Sequence, residues 1–259
     1  MKNRKIREIF KRKNKNPIVC LTAYSKTIAE ILDKYCDIVL VGDSLGMVLY
    51  GMESTREVTL DMIINHAKSV KKGISKSVLV IDMPYQTYRN KKEAYKNAKK
   101  IIKSTKCDAL KLEGGKKIIN IIKYLINKNI PVMGHIGLLP QSERGKFKFK
   151  GRSSFERKRI IEDARLLSNA GVFAIVIECV EESLAEIISK SIPVPTIGIG
   201  ASRHCDGQIL VTDDLLGLSN FTPRFVKKYS NIKKMINKSV LRFRHDVINK
   251  NFPSRKNIY

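Results

Sequence analysis

A closed barrel of eight parallel strands with intervening helices, a (β/α)8 fold, is the fold class that the sequence predicts. The first reason is that short apolar runs alternate with longer stretches in which apolar residues recur three and four positions apart. The second is that the apolar runs are continuous, which is typical of parallel strands buried on both faces. The third is that eight such units fit into about 210 residues, at the short end of the range for a barrel. A doubly wound open sheet is the alternative that this pattern leaves open.

The candidate strands are eight apolar runs at 18–24, 37–41, 77–81, 108–112, 131–135, 173–177, 196–200 and 208–211. Six stretches with helical periodicity lie among them, at 26–34, 60–72, 91–104, 116–128, 154–169 and 181–190. The chain has no internal repeat and no linker rich in Pro, Gly or Ser, so we expect one domain over residues 1–259. A basic N-terminal helix in residues 1–16 and a basic helical extension over about 222–259 flank the predicted barrel.

Composition excludes several classes of protein. Hydrophobic residues make up 43% of the 259 residues, which is not the composition of a disordered or fibrous chain. The apolar runs are too short for a membrane-spanning helix, and residues 1–16 lack the apolar segment of a secretory signal. The five cysteines are scattered and never spaced as C-x-x-C. We therefore expect reduced cysteines, a cytoplasmic location and no membrane association.

The net charge of +26 raises the question of a nucleic-acid partner. Residues 1–16 and 224–259 together carry 17 of these charges, because they contain 19 basic residues and two acids. No zinc-finger spacing, aromatic RNA-binding strand or heptad repeat accompanies them. We expect a solvated, lysine-rich surface with no nucleic-acid partner, and a functional polyanion-binding patch stays as the less favoured interpretation.

Polar and charged residues stand at the ends of five consecutive candidate strands. Since side chains alternate along a strand, Lys111 and Glu113 share a face. In a closed barrel the strand-end residues would point toward one mouth, where chemistry gathers in parallel α/β folds. These residues are Asp43, Asp82, Lys111, Glu113, His135 and Glu178.

Each of these residues also has an ordinary structural explanation. An aspartate after a strand is most often a helix cap or a turn residue, and a strand histidine is most often a structural hydrogen-bonding group. As a set, however, four carboxylates in one barrel mouth would suffer a large desolvation cost without partners. A divalent cation relieves that cost. Oxygen ligands without a Cys or multi-His cluster favour Mg²⁺ over zinc.

The segment VGDSLGMVLYG at 41–51 resembles the ketopantoate hydroxymethyltransferase family, and further similar segments follow in the family's order. They are LTAY at 21–24, DMPY at 82–85, KLEGG at 111–115, GHIGLLPQS at 134–142, KGR at 150–152, IEC at 177–179 and PTIGIGAS with CDGQILVTDDLLGL at 195–218. The resemblance covers about residues 5–230 and rests on the order and spacing of the segments together.

The resemblance implies a Mg²⁺-dependent (β/α)8 barrel of the phosphoenolpyruvate/pyruvate superfamily. It implies transfer of a hydroxymethyl group from 5,10-methylenetetrahydrofolate to 3-methyl-2-oxobutanoate, giving ketopantoate in pantothenate biosynthesis. Asp43 and Asp82 would be metal ligands, with Glu113 holding the metal site through water. The family also implies a homo-oligomer, often a decamer built as a pentamer of dimers.

The resemblance further implies roles toward the keto acid. Ser44 and Lys111 would bind its carboxylate and carbonyl region, together with Asp43 and Asp82, and His135 would lie near it. Glu178 would accept the C3 proton. Chelation of the keto acid by Mg²⁺ would polarise its carbonyl and stabilise the enolate, so that a carboxylate suffices as base.

The sequence departs from the family pattern at Ser25, Arg56 and Glu181, and over a shorter and more basic segment at 143–152. Three alternatives to the family's reaction stay open. Lys111 could be the Schiff-base nucleophile of a class I aldolase. The chain could be a carbon–carbon lyase or mutase of the same superfamily. It could also be a polyanion-binding protein on an inactive barrel.

Overall fold

The structure, a computed structural model, describes residues 3–143, 148–219 and 223–259. The chain divides into two compact units, residues 1–211 and residues 212–259, and each is described by itself.

The first unit is a closed barrel in which every strand pairs in parallel with its neighbours in chain order, and β1 pairs with β8. The predicted (β/α)8 fold is therefore confirmed, and the open sheet is excluded because a doubly wound sheet has two free edges. The strands are β1 Ile18–Thr22, β2 Ile38–Val41, β3 Val78–Asp82, β4 Ala109–Glu113, β5 Val132–Gly137, β6 Ala174–Glu178, β7 Thr196–Ile199 and β8 Gly207–Leu210.

Helices of this unit cover the barrel. They are α1 Arg4–Phe10, α2 Lys26–Leu32, α3 Leu45–Leu49, α4 Leu60–Lys71, α5 Lys91–Thr105, α6 Ile119–Asn127, α7 Ser154–Ala170 and α8 Glu182–Ser191, with short 3₁₀ turns at Thr55–Glu57 and Lys116–Ile118. Side-chain oxygens of Ser25, Thr59, Asn90 and Ser153 accept backbone hydrogen bonds at the starts of α2, α4, α5 and α7.

The N-terminal helix is shorter than the segment 1–16 in which it was expected. Helix α1 ends at Phe10, and Asn14 adopts a positive φ of 54°, which is incompatible with a continuing helix. The buried side chains of Ile6 and Ile9 belong to the cluster that fills the barrel interior. The helix therefore closes the barrel at the end where the strands begin.

The second unit contains α9 Thr212–Leu215 and α10 Ile232–Ile248, followed by a 3₁₀ turn at Arg255–Asn257. The extension expected over about 222–259 is thus helical only over part of its length, and residue 222 lies outside the described residues. Helix α10 exposes a row of large apolar side chains, including Met235, Ile236, Val240, Phe243 and Val247. In the part of the chain that is described, we find no helix with the length and hydropathy needed to cross a bilayer.

Candidate active site

Strand alternation places charged side chains in the barrel interior at the end where the strands finish. On β4, Ala109 belongs to the interior cluster, whereas Leu110 and Leu112 pack in the cluster between strands and helices. Lys111 and Glu113 therefore share the interior face with Ala109. The same spacing of two holds on other strands, where the interior pairs are Val80 with Asp82, Met133 with His135, and Val176 with Glu178.

Asp43 and Ser44 follow β2 after Gly42 and lead into α3. The backbone N–H of Asp43 donates to Asp82 Oδ2 at 3.1 Å, and the hydroxyls of Ser44 and Tyr24 lie 2.8 Å apart. Gly42 makes this approach possible, since a Cβ there would lie 3.0 Å from Ser44 Oγ and 3.4 Å from Asp82 Oδ2. The glycine thus lets the ends of β2 and β3 bring their polar groups together.

The remaining predicted residues form a chain of charge contacts around the mouth. Lys111 Nζ lies 2.8 Å from Asp82 Oδ1. His135 lies between two carboxylates, with Nδ1 3.3 Å from Glu113 Oε1 and Nε2 3.1 Å from Glu178 Oε2. The structure therefore brings together all the residues that the sequence singled out at the five strand ends.

Exposure separates Glu178 from the other carboxylates. The side chains of Asp82 and Glu113 are each 2% exposed, whereas that of Glu178 is 18% exposed. Gly137 pairs with Glu178 between the parallel strands β5 and β6 and has a φ of +94°. A Cβ at residue 137 would lie 2.3 Å from the Glu178 carbonyl oxygen, so glycine is what lets the two strands meet at this point. Glu178 is consequently a carboxylate at the rim that a substrate in the mouth can reach.

The two aspartates resist ionisation in this surrounding. Burial, followed by the nearby carboxylates of Asp82 and Glu113, raises the pKa of Asp43 well above its ordinary value. Burial also raises the pKa of Asp82, against the attraction of Lys111. Burial by itself would lower the pKa of Lys111, but the three acidic neighbours raise it above its ordinary value, so this amine is protonated at neutral pH.

The contacts of His135 stabilise its cation. Burial and the charge of Lys111 would lower its pKa, but the Glu113 and Glu178 carboxylates overcome them and raise the pKa to about 9. Burial would raise the pKa of Glu113, and the opposing charges of His135 and Lys111 lower it below the ordinary value. His135 and Glu113 therefore form an ion pair inside the barrel.

The residues present fit a divalent cation. Four carboxylates face one ammonium and one imidazolium, which leaves a surplus of about two negative charges when all are ionised. Asp82 Oδ1 is buried and accepts no well-aligned hydrogen bond despite its ion pair with Lys111. Among the described residues, no three His, Cys, Asp or Glu side chains are placed so that they could hold a metal ion by themselves. A cation here would recruit substrate or water oxygens to complete its shell.

Two further residues of the site were missed by the sequence reasoning. The side-chain Nε2 of Gln141 donates to Asp43 Oδ2 at 2.7 Å, and its backbone N–H donates to Glu113 Oε2 at 3.0 Å. The Tyr88 hydroxyl donates to Gln141 Oε1 at 2.5 Å. Gln141 stands in the segment GHIGLLPQS, and a polar residue in a loop directly after a barrel strand is the signal that could have identified it.

The departures from the family pattern lie in ordinary structural positions. Ser25 caps α2, and the Glu181 side chain accepts backbone N–H groups at the start of α8. The Arg56 guanidinium lies 4.4 Å from the centre of the Tyr85 ring and donates to its hydroxyl. Residues 144–147, within the shorter segment, lie outside the described residues.

Solved structures with a similar fold include a hydrolase and a mutase. A phosphonopyruvate hydrolase matches with a TM-score of 0.65 at 11% identity, over 99% of this chain and 92% of the other. A phosphoenolpyruvate phosphomutase from Streptomyces platensis matches with a TM-score of 0.60 at 10% identity, over 95% and 87% of the two chains. At these identities the likeness shows the fold alone.

Sequence relatives are far more similar. The 3-methyl-2-oxobutanoate hydroxymethyltransferase of Pelagibacter ubique is 63% identical over 99% of this chain and 100% of its own length. That of Phenylobacterium zucineum is 49% identical over 97% of this chain and 93% of its own. The sequence model for ketopantoate hydroxymethyltransferase matches residues 3–255. The family model and these relatives match nearly the whole chain, and the strand ends of its barrel assemble a buried acidic site. This chain therefore belongs to the ketopantoate hydroxymethyltransferase family.

Proposed function

We propose that this protein transfers a hydroxymethyl group from 5,10-methylenetetrahydrofolate to 3-methyl-2-oxobutanoate, giving 2-dehydropantoate in the first step of pantothenate biosynthesis. The family and the names of its relatives support hydroxymethylation of this keto acid. The folate donor, Mg²⁺ and the identity of the base are the further parts of the proposal.

The observation that supports a base at Glu178 is its position at the rim of an otherwise buried acidic cluster. Its carboxylate is exposed enough to approach C3 of a keto acid in the mouth, unlike those of Asp82 and Glu113. His135 contacts Glu178 through Nε2 and Glu113 through Nδ1, so both ring nitrogens face carboxylates. We propose that His135 supports the keto-acid site mainly by orienting the Glu178 carboxylate.

Lys111 and Ser44 supply groups for the anionic end of the substrate. The Lys111 ammonium is buried and charged, and the Ser44 hydroxyl lies half-buried beside Asp43 at the start of α3. A carboxylate or keto oxygen entering the mouth would accept hydrogen bonds from both. The protonated state of Lys111 argues against the aldolase alternative, because a Schiff-base nucleophile must be a free amine.

We propose that Asp43 and Asp82 would ligate Mg²⁺ directly and that Glu113 would hold the metal site through water. Glu113 suits the outer role, since one of its oxygens faces His135 and the other accepts the Gln141 N–H. A Mg²⁺ ion is named with a phosphonopyruvate hydrolase of the same fold. When bound, the cation would polarise the keto carbonyl and offset the negative charge that develops on it.

An activity assay tests the proposed reaction directly. Protein is supplied with 3-methyl-2-oxobutanoate, 5,10-methylenetetrahydrofolate and Mg²⁺, and ketopantoate is followed by mass spectrometry. We expect product that depends on folate and disappears when a chelator removes the metal. Loss of the keto acid without folate and without ketopantoate would favour the lyase or mutase alternative, and trapping of a keto acid by borohydride would favour the aldolase.

The metal ligands are tested by Asp43→Asn, which removes an anionic oxygen from a site with few protein ligands. We expect the variant to bind Mg²⁺ at least about 10-fold more weakly by calorimetry and to lose turnover. Asp37→Asn is the matched control, because Asp37 precedes the same strand at the opposite end of the barrel and pairs with Arg12. Ordinary Mg²⁺ affinity in the Asp43 variant would exclude it as a ligand.

For its partners, we propose the keto acid and the folate, with no nucleic acid or membrane. We further propose a homo-oligomer, a decamer built as a pentamer of dimers, and the large apolar side chains that α10 exposes support self-association. Light scattering after size exclusion tests the stoichiometry.

We also propose a cytoplasmic location, which the five free cysteines favour.

A further inference from the structure

We propose that Gln141 and Tyr88 are positioning residues that set the cation affinity of the site by orienting Asp43 and Glu113. The inference rests on the proposed metal-dependent function and extends it to two residues outside the expected ligand set. Gln141 lies in the loop after β5, a strand that supplies no proposed ligand, and Tyr88 lies in the loop after β3, beyond the proposed ligand Asp82.

Gln141 contacts both carboxylates at once. Its side-chain Nε2 lies 2.7 Å from Asp43 Oδ2, and its backbone N–H donates to Glu113 Oε2 at 3.0 Å. The residue is 2% exposed, so water does not compete for these contacts. Asp43 and Glu113 follow different strands, and a single residue therefore fixes their relative position.

The surroundings of the Gln141 amide define which way it points. Nε2 also donates to the Met83 carbonyl oxygen at 3.0 Å, so the atom at this position faces two acceptors. A rotated amide would place Oε1 against the Asp43 carboxylate and the Met83 carbonyl, where acceptor would meet acceptor. The Tyr88 hydroxyl donates to Oε1 at 2.5 Å and so locks the amide in the productive orientation.

Gln141 and Tyr88 are uncharged, and this distinguishes them from Lys111 and His135, which also contact carboxylates of the site. A cation beside a carboxylate competes with a metal for its negative charge, whereas an amide donor orients the carboxylate and leaves that charge in place. Of the two Asp43 carboxylate oxygens, Gln141 donates to Oδ2. Gln141 and Tyr88 therefore orient the Asp43 carboxylate without neutralising it, as outer-shell groups do in metal sites.

Direct cation binding tests the proposal without reliance on turnover. Metal-free full-length protein is titrated with Mg²⁺ by calorimetry and with Mn²⁺ by electron paramagnetic resonance, in wild type, Gln141→Met and Tyr88→Phe. Methionine keeps the length and volume of glutamine but donates no side-chain hydrogen bond. We expect the dissociation constant to rise about 10- to 100-fold in Gln141→Met. We expect the dissociation constant to rise about 3- to 10-fold in Tyr88→Phe, which loses the neutral contacts of the Tyr88 hydroxyl with Gln141 Oε1 and the Glu113 carbonyl oxygen.

Gln208→Met is the matched control. The Gln208 side chain, on β8, donates to the Ser202 carbonyl oxygen and contacts neither Asp43 nor Glu113 in the hydrogen bonds of the described residues. Its cation affinity should equal that of wild type. A Gln141→Met protein that melts normally and binds Mg²⁺ within about 2-fold of wild type would overturn the positioning role. If Tyr88→Phe, the milder change, also binds as wild type does, the role of Tyr88 is overturned with it. Wild-type protein that binds neither cation would instead refute the proposed metal dependence.

Discussion

Glu178 differs from its neighbouring carboxylates by its partial exposure, which is why we propose it as the base. Glu178→Gln keeps the shape and the contact with His135 but removes the basic carboxylate. We expect exchange of the C3 proton of 3-methyl-2-oxobutanoate with solvent deuterium, and turnover, to fall together by about 10²- to 10⁴-fold. Binding of Mg²⁺ should persist, because the proposed ligands follow β2 and β3. The measurement is NMR of the keto acid in D₂O.

Glu181→Gln provides the comparison for that experiment. Glu181 follows the same strand but its side chain caps α8 and pairs with Arg157, so the variant should lose stability and keep proton exchange. If Glu178→Gln behaved in the same way, with near-normal exchange at saturating keto acid, the base would have to be another group.

Asp33 illustrates a carboxylate with a purely structural task. Burial would raise its pKa, but hydrogen bonds from the backbone N–H groups of Ser77, Lys76 and Ser75 and from the Ser75 hydroxyl outweigh burial and hold the pKa well below its ordinary value. The carboxylate thereby anchors the loop that leads into β3.

The shifted pKa of Asp33 predicts a pH-dependent loss in Asp33→Asn. The pKa of Asp33 is lower in the folded state than in the unfolded state. Its contribution to the unfolding free energy is therefore fully present above the unfolded-state pKa of about 3.9, and it is lost as the pH falls through the folded-state pKa. We expect a loss of roughly 1–3 kcal/mol in unfolding free energy near pH 7. The difference from wild type should shrink below about pH 4. Asp61→Asn, at an exposed pair with Lys100, should change stability little at either pH.

At the scale of single elements, the end of α5 stores a small strain. Lys106 follows the helix with φ 54° and ψ 36°, a left-handed conformation that glycine adopts without steric cost. Its backbone N–H donates to the Ile102 carbonyl and completes the helix end. The position therefore requires the backbone conformation and not the lysine side chain.

The same substitution should have opposite effects at two positions of α5. Lys106→Gly should raise the unfolding free energy by up to about 1 kcal/mol, because it relieves the left-handed strain. Lys96→Gly, at an exposed position within the helix, should lower it by about 1 kcal/mol. Chemical denaturation measures both. A loss in both variants would mean that Lys106 contributes through its side chain.

At the scale of the whole molecule, the net charge of +26 acts against compactness. Raising NaCl from about 0.01 M to about 0.15 M shortens the Debye length from roughly 30 Å to roughly 8 Å. We therefore expect the melting temperature to rise over this range. Sodium acetate at the same ionic strength should give a similar rise, since screening does not depend on the anion. A fall with both salts would show that attractive ion pairs outweigh the repulsion.

Much of the barrel could be predicted because its signals are local. Continuous apolar runs, helical periodicity and Gly-containing strand ends all lie within a few residues, and the predicted strands differ from the observed ones by one or two residues at their ends. The period-two placement of Lys111 and Glu113 is likewise a property of one strand. The extent of α1 was not predictable in this way, because its end depends on a backbone conformation at Asn14 that basic composition does not reveal.

By itself, the sequence determined the fold class, the family and the strand-end residues, since each depends on order and spacing along the chain. Only the tertiary structure decided which oxygens those residues share. It placed His135 between Glu113 and Glu178, left Glu178 at the rim, and brought Gln141 to Asp43 across 98 residues. The physical reason is that barrel closure juxtaposes strand ends distant in sequence, and hydrogen bonds of about 3 Å depend on that closure and not on local pattern.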